Sequence, residues 1–590
     1  MKRVLALVLA VIMVACSFAS CSTLEGDDKG AIVTVFLGDE IYDFDPTQSY
    51  TNDAVAQITS LVFEGLTVLN SKGDWEKGMM DSYKLIENEE DGSEKLQITL
   101  RETKWSDGRT VQANDFVYAW KRLIEPTFKS DAACLLYDIK NARDIKMGDA
   151  TVDDLGVYAV ETYVLEIEFE HEVDVDAFLR TCASPALVPL REDKVGVSDD
   201  WAKKSSSMVT NGPFDVRKIV YGEEFRLERS SYYYRDTDKN QALDKYVIPY
   251  RLRVLFSTGD EAKQLEMFTN GAGTTSEVYY IGDIALASRG DYAADAEVNS
   301  ALNTYSYYFN TNNELFKDAK VRQALSLALD RQAIADALVF ADAATGFVPA
   351  GIADASVKSS FRDAGELIKS SADVEGAKKL LRDAGVTKGS FSITCRKDEV
   401  DEAVAEMAKE AWSALGFKVE VKAVGTKQRP SENANESAVY DDLFTEAYLA
   451  GDFDVIAVES QALANDAYAV LAPYATKFSG NGVDMASDTY DVIPHVTGYN
   501  NSEYDEIIEN VYNAEDAASR SELLHSAEAK LVEDMPSIPV VFLNNAYLSN
   551  SGVLSGIKTT FWGTTDFKRV KMKNYMEYKA IIEAEELSGL

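Results

Sequence analysis

The stretch from Asp401 to Val424, DEAVAEMAKEAWSALGFKVEVKAV, decides the fold class. Its first part sets Ala403, Val404, Met407, Ala408, Ala411, Trp412 and Leu415 at three- and four-residue spacing, the apolar face of an amphipathic helix. Gly416 follows, where a helix ends most easily on a residue that tolerates positive φ. The period then drops to two, with Phe417, Val419 and Val421 alternating with Lys418, Glu420 and Lys422, as in a strand with one wet face. Helix, glycine turn and strand in that order are the repeating unit of α/β architecture.

The same pattern recurs on both sides. Val321, Ala324, Leu325, Ala328 and Leu329 mark a second helix with Asp318 placed as its N-cap. Leu523, Leu524, Ala527, Leu531 and Val532 mark a third, which stops near Pro536 and gives way to an apolar strand from Ile538 to Leu543. Leu96 to Arg101 and Thr162 to Glu170 instead alternate like antiparallel strands, so the sheets are mixed. The acidic, helix-poor segment Thr426 to Asp442 reads as a long surface loop. A chain of 590 residues exceeds a single core and implies two or three domains.

Composition excludes several partners. The chain carries 98 acidic against 59 basic residues, a net charge of −39 spread along its length. Nucleic acid needs clustered Lys and Arg against its phosphates, which this distribution lacks, and adhesion to anionic lipid by charge is excluded on the same ground. The acidic surface reads as solubilising.

The N-terminal residues indicate export. Lys2 and Arg3 precede an apolar run from Val4 to Ala15, twelve residues long. A bilayer span takes about 20 apolar residues, so the run reads as the core of a signal peptide. Small residues lead twice to a cysteine, in Met13-Val14-Ala15-Cys16 and Phe18-Ala19-Ser20-Cys21. Both resemble the lipobox of bacterial lipoproteins. Cys21 is the expected lipidation site, with Cys16 as the alternative that leaves a shorter apolar run, and Ser22 to Gly30 is the expected tether. Cys134, Cys182 and Cys395 are far apart and form no CxxC, so buried, unreactive thiols are expected rather than a disulfide framework or a zinc site.

Little in the chain suits catalysis. It has three histidines. His171 lies in Glu170-His171-Glu172-Val173-Asp174-Val175-Asp176, whose alternation splits the candidate metal ligands between two faces of a strand. His495 lies in a turn between Pro494 and Gly498, His525 on the polar side of the third helix, and neither is next to a nucleophile motif. Gly271-Ala272-Gly273 lacks the third glycine and the helix of a dinucleotide site. An enzyme is disfavoured, and no catalytic residue, cofactor or metal site is assigned.

Four stretches, in order, resemble the oligopeptide- and dipeptide-binding proteins of ABC importers, the family 5 extracellular solute-binding proteins. They are Phe44-Asp45-Pro46 with Leu61-Val62-Phe63-Glu64-Gly65-Leu66; Leu100-Arg101 with Trp105-Ser106-Asp107-Gly108, Ala113-Asn114-Asp115-Phe116 and Trp120; Thr210-Asn211-Gly212-Pro213-Phe214; and Tyr305, Tyr307, Phe309 and Asn310 with Val321-Arg322-Gln323-Ala324-Leu325 and Asp330-Arg331. Each stretch also has a scaffold reading. Trp105 to Gly108 is a tight turn with an aromatic anchor, and Asn211-Gly212 is a turn signal.

The resemblance implies an α/β, two-lobed periplasmic-binding-protein-like fold with an extra subdomain, mixed sheets and a ligand cleft between the lobes. The expected layout is a signal peptide over 1–21, a tether over 22–30, and a first lobe built from 31–75, 206–300 and 545–590. The extra subdomain would take 76–205 and the second lobe 301–544. The implied function is capture of short peptides outside the cell by a monomeric, lipid-anchored protein. It would deliver them to an ABC permease with its ATPases, from the cell membrane or, behind an outer membrane, in the periplasm. A peptide-pheromone receptor, or a binder of a metal chelate, a haem or an opine, would share the fold.

Site residues carried over by the resemblance are Tyr50, Tyr305, Tyr307 and Asn310, with Glu459, Ser460, Gln461 and Asp466 from the segment that would pair with the ligand. Here the sequence departs from the family. Peptide binders of the group show a Trp and, three residues on, an Asp that pairs with the ligand's α-ammonium, whereas this chain reads Glu459-Ser460-Gln461-Ala462-Leu463-Ala464-Asn465-Asp466. Glu459 or Asp466 is the expected substitute, or else a free amino terminus is not read at all. Tyr50, Tyr305 and Tyr307 have domain-interface packing as their other reading.

Overall fold

The computed structural model describes residues 30–38, 40–48, 51–87, 94–221, 224–233, 246–256, 261–270, 278–429, 438–487 and 489–588. Cys16, Cys21, the 271–273 glycine segment and Tyr50 lie outside the described residues.

One mixed sheet of eleven strands runs through the molecule. In chain order these are β1 (Ile32–Phe36), β2 (Phe214–Val220), β3 (Glu224–Arg229), β4 (Arg251–Leu255), β5 (Tyr280–Ile281), β6 (Glu297–Phe309), β7 (Ala341–Ala343), β8 (Gly389–Arg396), β9 (Phe417–Val424), β10 (Val455–Gln461) and β11 (Ser537–Ser549). Their spatial order is β9-β8-β10-β6-β11-β5-β1-β4-β3-β2, with β7 also paired to β11. The molecule is therefore two-lobed, with β1 to β5 on one side and β7 to β10 on the other. The 13-residue strands β6 and β11 run between them as an antiparallel pair.

That crossing is irregular for identifiable reasons. The register of β6 against β11 shifts between Ser300 and Asn303, where Leu302 adopts φ 51°. A second shift falls between Tyr305 and Ser306, opposite Pro539, which has no N–H to give the ladder. Gln461 clamps the first irregularity by donating to the carbonyls of Ala301 at 3.2 Å and Trp562 at 3.0 Å. A two-strand crossing with a bulge is where a hinge is cheapest.

The 401–424 stretch folds as its periodicity requires. The helix Glu399–Ser413 is N-capped by Asp398, which accepts from the Asp401 amide. Trp412, fully buried, donates to the Leu325 carbonyl at 2.9 Å, and Gly416 takes φ 103° to turn the chain into β9. The segment Thr426 to Asp442 departs from the expected loop. Its ends, Thr426–Arg429 and Val439–Asp442, pair as antiparallel strands, because four paired residues on each side satisfy backbone groups that an open loop would leave to water.

A separate four-stranded antiparallel sheet (Met80–Glu87, Glu94–Leu100, Val164–Glu168, Val157–Glu161) is covered by the helix Ala113–Ile124. The family-like motifs of this region are scaffold. The Trp105 indole donates to Asp115 at 2.9 Å, Asp115 also accepts the Gln112 amide, and Gly108 takes φ 88°. Asn211 and Glu64 exchange two hydrogen bonds, and a Cβ on Gly212 would meet the Val62 backbone at 2.5 Å. Cys134, Cys182 and Cys395 are buried free thiols, pushed well above the ordinary thiol pKa by burial. Among the described residues no helix is long and apolar enough to cross a membrane.

Candidate ligand-binding cleft

The lobes enclose a cleft of about 1150 Å³. One wall is the segment that includes Tyr42, Asp43 and Asn52, and the facing wall is built from the turn after β8 and the helix that follows it, including Arg396, Asp398 and Val400. A 190 Å³ extension shares Asn52, Asp283, Arg396 and Asp398 with the main cavity and reaches Glu459 on β10. The lobes touch around the cleft. Arg429 bridges Asp200 of the first lobe at 2.7 Å and Asp441 of the second at 2.6 Å, and Tyr440 packs edge-on against Tyr221 with ring centroids 4.9 Å apart. At the other end of the lobes Arg143 pairs with Glu509 at 2.9 Å.

β10 gives the cleft its main feature. Along its whole length it pairs with β6, but β8 pairs with it only at Val455 and Ile456 before bending away. From Ala457 to Gln461, therefore, no strand among the described residues occupies the side of β10 opposite β6. Successive side chains of a strand point to opposite faces. Glu459 lines the 190 Å³ extension of the cleft, and Ser460 lines a separate cavity of about 40 Å³. That small cavity is walled by Thr304, Ser306 and Tyr308 of β6, by Tyr474 and His495, and by Asp131 of the inserted subdomain.

Burial governs the titrating groups here. Asp43 is pushed up to about 6 by burial and by the neighbouring Asp45 carboxylate. Burial lifts Asp131 to about 7 and drops His495 to about 3. Asp442 is also desolvated, but the Arg396 guanidinium at 2.8 Å holds it below the usual carboxylate range.

The structure separates the residues expected at the site. Tyr305 and Tyr307 are fully buried in the core of the second lobe, where Tyr307 packs on Trp412 at 5.1 Å. They occupy the interior face of β6, whereas Thr304, Ser306 and Tyr308, one residue out of phase, line the small cavity. Asn310 ties down a loop by donating to the Phe453 carbonyl. Gln461 borders the small cavity but spends its amide on the β6 crossing. Asp466 caps a helical turn and pairs with Arg520 at 2.8 Å within the second lobe, bordering neither cavity. Glu459 and Ser460 stand at the open edge. His171 bonds Asp138 at 3.1 Å and His525 stacks on Phe361 at 3.9 Å, and among the described residues no group of His, Cys, Asp and Glu is arranged to hold a metal ion. Sequence reasoning missed Asp131, Tyr308 and His495. Asp131 is one of 98 acidic residues, and nothing local marks it.

Two lobes joined by a crossing strand pair and closed over a solvent cavity define a solute-binding protein of the periplasmic type. The model of the bacterial extracellular solute-binding proteins, family 5, matches residues 76–482, and the chain belongs to that family. It is 26% identical over 587 residues to the oligopeptide-binding protein OppA of Bacillus subtilis, covering 96% of this chain and 98% of that one. It is 27% identical to the dipeptide-binding protein DppE of the same organism, covering 86% of each. The pheromone receptor PrgZ, solved for its mode of peptide binding, superposes with a TM-score of 0.75 at 21% identity, over 92% of this chain and all of that one.

Proposed function

We propose that this protein captures short peptides in the interlobe cleft and delivers them to the permease of an ABC importer. The observation that carries the reading is the open edge of β10 from Ala457 to Gln461 inside the cleft, with cavities on both of its faces. A peptide added as a strand would bond this edge through its backbone regardless of sequence, and its alternate side chains would enter the two cavities. The lobes would close around the β6–β11 crossing, held by contacts the ligand makes to both. The names of OppA and DppE support the same reading. We further propose the domain limits given above, a monomer, and an anchor through lipid on Cys21.

The test is to purify the chain from Ser22 onward natively, unfold it and analyse the released material by mass spectrometry. A ladder of unrelated short peptides is expected. A single sequence would favour the pheromone-receptor reading, to which the fold of PrgZ lends support. Release of no peptide, together with no thermal stabilisation by any peptide pool, would overturn peptide capture. For the anchor, Cys21→Ser is expected to move the exported protein out of the membrane fraction. If only Cys16→Ser does so, the lipidated residue is Cys16.

A further inference from the structure

After Glu459 the segment offers no acidic residue before Asp466, and Asp466 is paired with Arg520. We infer that Asp131, contributed by the inserted subdomain, takes over recognition of the peptide's ammonium group, in the small cavity beside Ser460. This rests on the reading of the cleft as a peptide site.

The cavity suits a small cation. Asp131 is the carboxylate among its lining residues, and the other walls include the rings of Tyr308, Phe347, Tyr474 and His495. Aromatic faces attract a cation placed over them, and more so once water is excluded. His495 stacks at 4.4 Å on Tyr474 and is held neutral by burial, so it adds no repulsion. The volume of about 40 Å³ accommodates an ammonium with a water or two.

Asp131 is also held in place. It opens the short 3₁₀ segment Asp131–Leu136, whose cap Ser130 donates to the Thr47 carbonyl at 2.8 Å in the first lobe. On the other side the Ser130 amide donates to the Gly480 carbonyl, and a Cβ on Gly480 would sit 1.9 Å from the Ser130 oxygen. The Tyr448 hydroxyl of the second lobe points to Asp131 at 3.5 Å. The carboxylate therefore meets the Ser460–Gln461 end of the open edge only when the inserted subdomain and the second lobe are docked. Recognition of the cation and closure of the lobes become one event.

Calorimetry on the chain from Ser22 onward would compare a lysine-free pentapeptide, its N-acetylated form, and an N-acetylated pentapeptide containing one lysine. The wild type is expected to bind the free-amino peptide at least about 30-fold more tightly than the acetylated one, the scale of losing one partner of a buried charge pair. Asp131→Asn, close to isosteric, is expected to abolish that ratio. If the lysine-containing acetylated peptide regains the tight affinity, and Asp131→Asn removes it, the ammonium read is a side chain's rather than the terminus. Equal binding of all three peptides by the wild type would overturn the inference and leave peptide capture standing, as would a ratio that survives in Asp131→Asn. Failure of every peptide to bind the wild type would overturn both.

Discussion

The ladder of β6 and β10 has two faces of different kinds. On one face Tyr305 and Tyr307 are sealed in an aromatic core with Trp412 and Phe391. On the other, Thr304, Ser306, Tyr308 and Ser460 border a polar cavity closed by another subdomain. Neighbouring residues of β6, a single peptide bond apart, thus go to the core and to the cavity, while Glu459 of β10, opposite Tyr305 in the ladder, carries the first face out to the cleft. The lesson is that in a strand shared between lobe and cleft the phase of the alternation, rather than the identity of the residue, decides which side chain meets ligand.

The largest effect is expected on the core face. Trp412→Ala removes a fully buried indole and its bond to Leu325 and should cost about 3–5 kcal/mol in denaturant unfolding, with unchanged peptide affinity in the protein that remains folded. A parallel loss of affinity would show that the two faces are not separate.

Next comes the pH dependence of the cavity face. In the native state Asp131 titrates near 7 against about 4 for an ordinary Asp, so the stability it allows is complete below pH 4 and is lost as pH rises through 7. His495 acts in the opposite sense. Its native value near 3 means that its stability is present above pH 6.5 and is lost as pH falls toward 3. Burial lifts the neighbouring Tyr474 and Cys134 above their ordinary values, so neither ionises across this window. Asp131→Asn should therefore gain on the wild type between pH 4 and 7 by up to a few kcal/mol in ligand-free protein, read as a widening difference in Tm. A difference that stays flat would place the carboxyl outside the cavity.

Ser460→Phe fills the small cavity from the strand edge. The overpacking should cost about 1–3 kcal/mol and suppress peptide binding, in contrast to Trp412→Ala, which should cost more stability and leave affinity unchanged. The smallest effect belongs to Asp466→Asn. Its partly exposed pair with Arg520 is worth about 1 kcal/mol or less, and the preference for a free amino terminus should persist, measured by the same calorimetry as for Asp131. Loss of that preference would return the ammonium role to the β10 segment.

Much of the scaffold was legible because it is locally encoded. The 401–424 stretch announces its helix, its glycine stop and its strand through spacing alone, and Trp105-Ser106-Asp107-Gly108 announces its turn. The strand from Ile538 was foreseen, but not its continuation to Ser549, because its second half is polar and earns its place only by pairing with β6. The segment that carries the open edge of β10 was singled out through family resemblance. The phase of β6 was not legible, since alternation fixes that two faces exist without saying which one is core.

The sequence by itself determined the α/β class, the mixed sheets, the capped helices and the family, because those are written in short-range periodicity, cap residues and motifs a few positions long. Only the tertiary structure decided the site. Asp131, Tyr308, Ser460 and His495 come from segments more than three hundred residues apart at the extremes, and they share one cavity because the inserted subdomain docks on the second lobe. No local pattern can record that contact, since what selects it is the fit of two finished surfaces rather than the preference of any one stretch of chain.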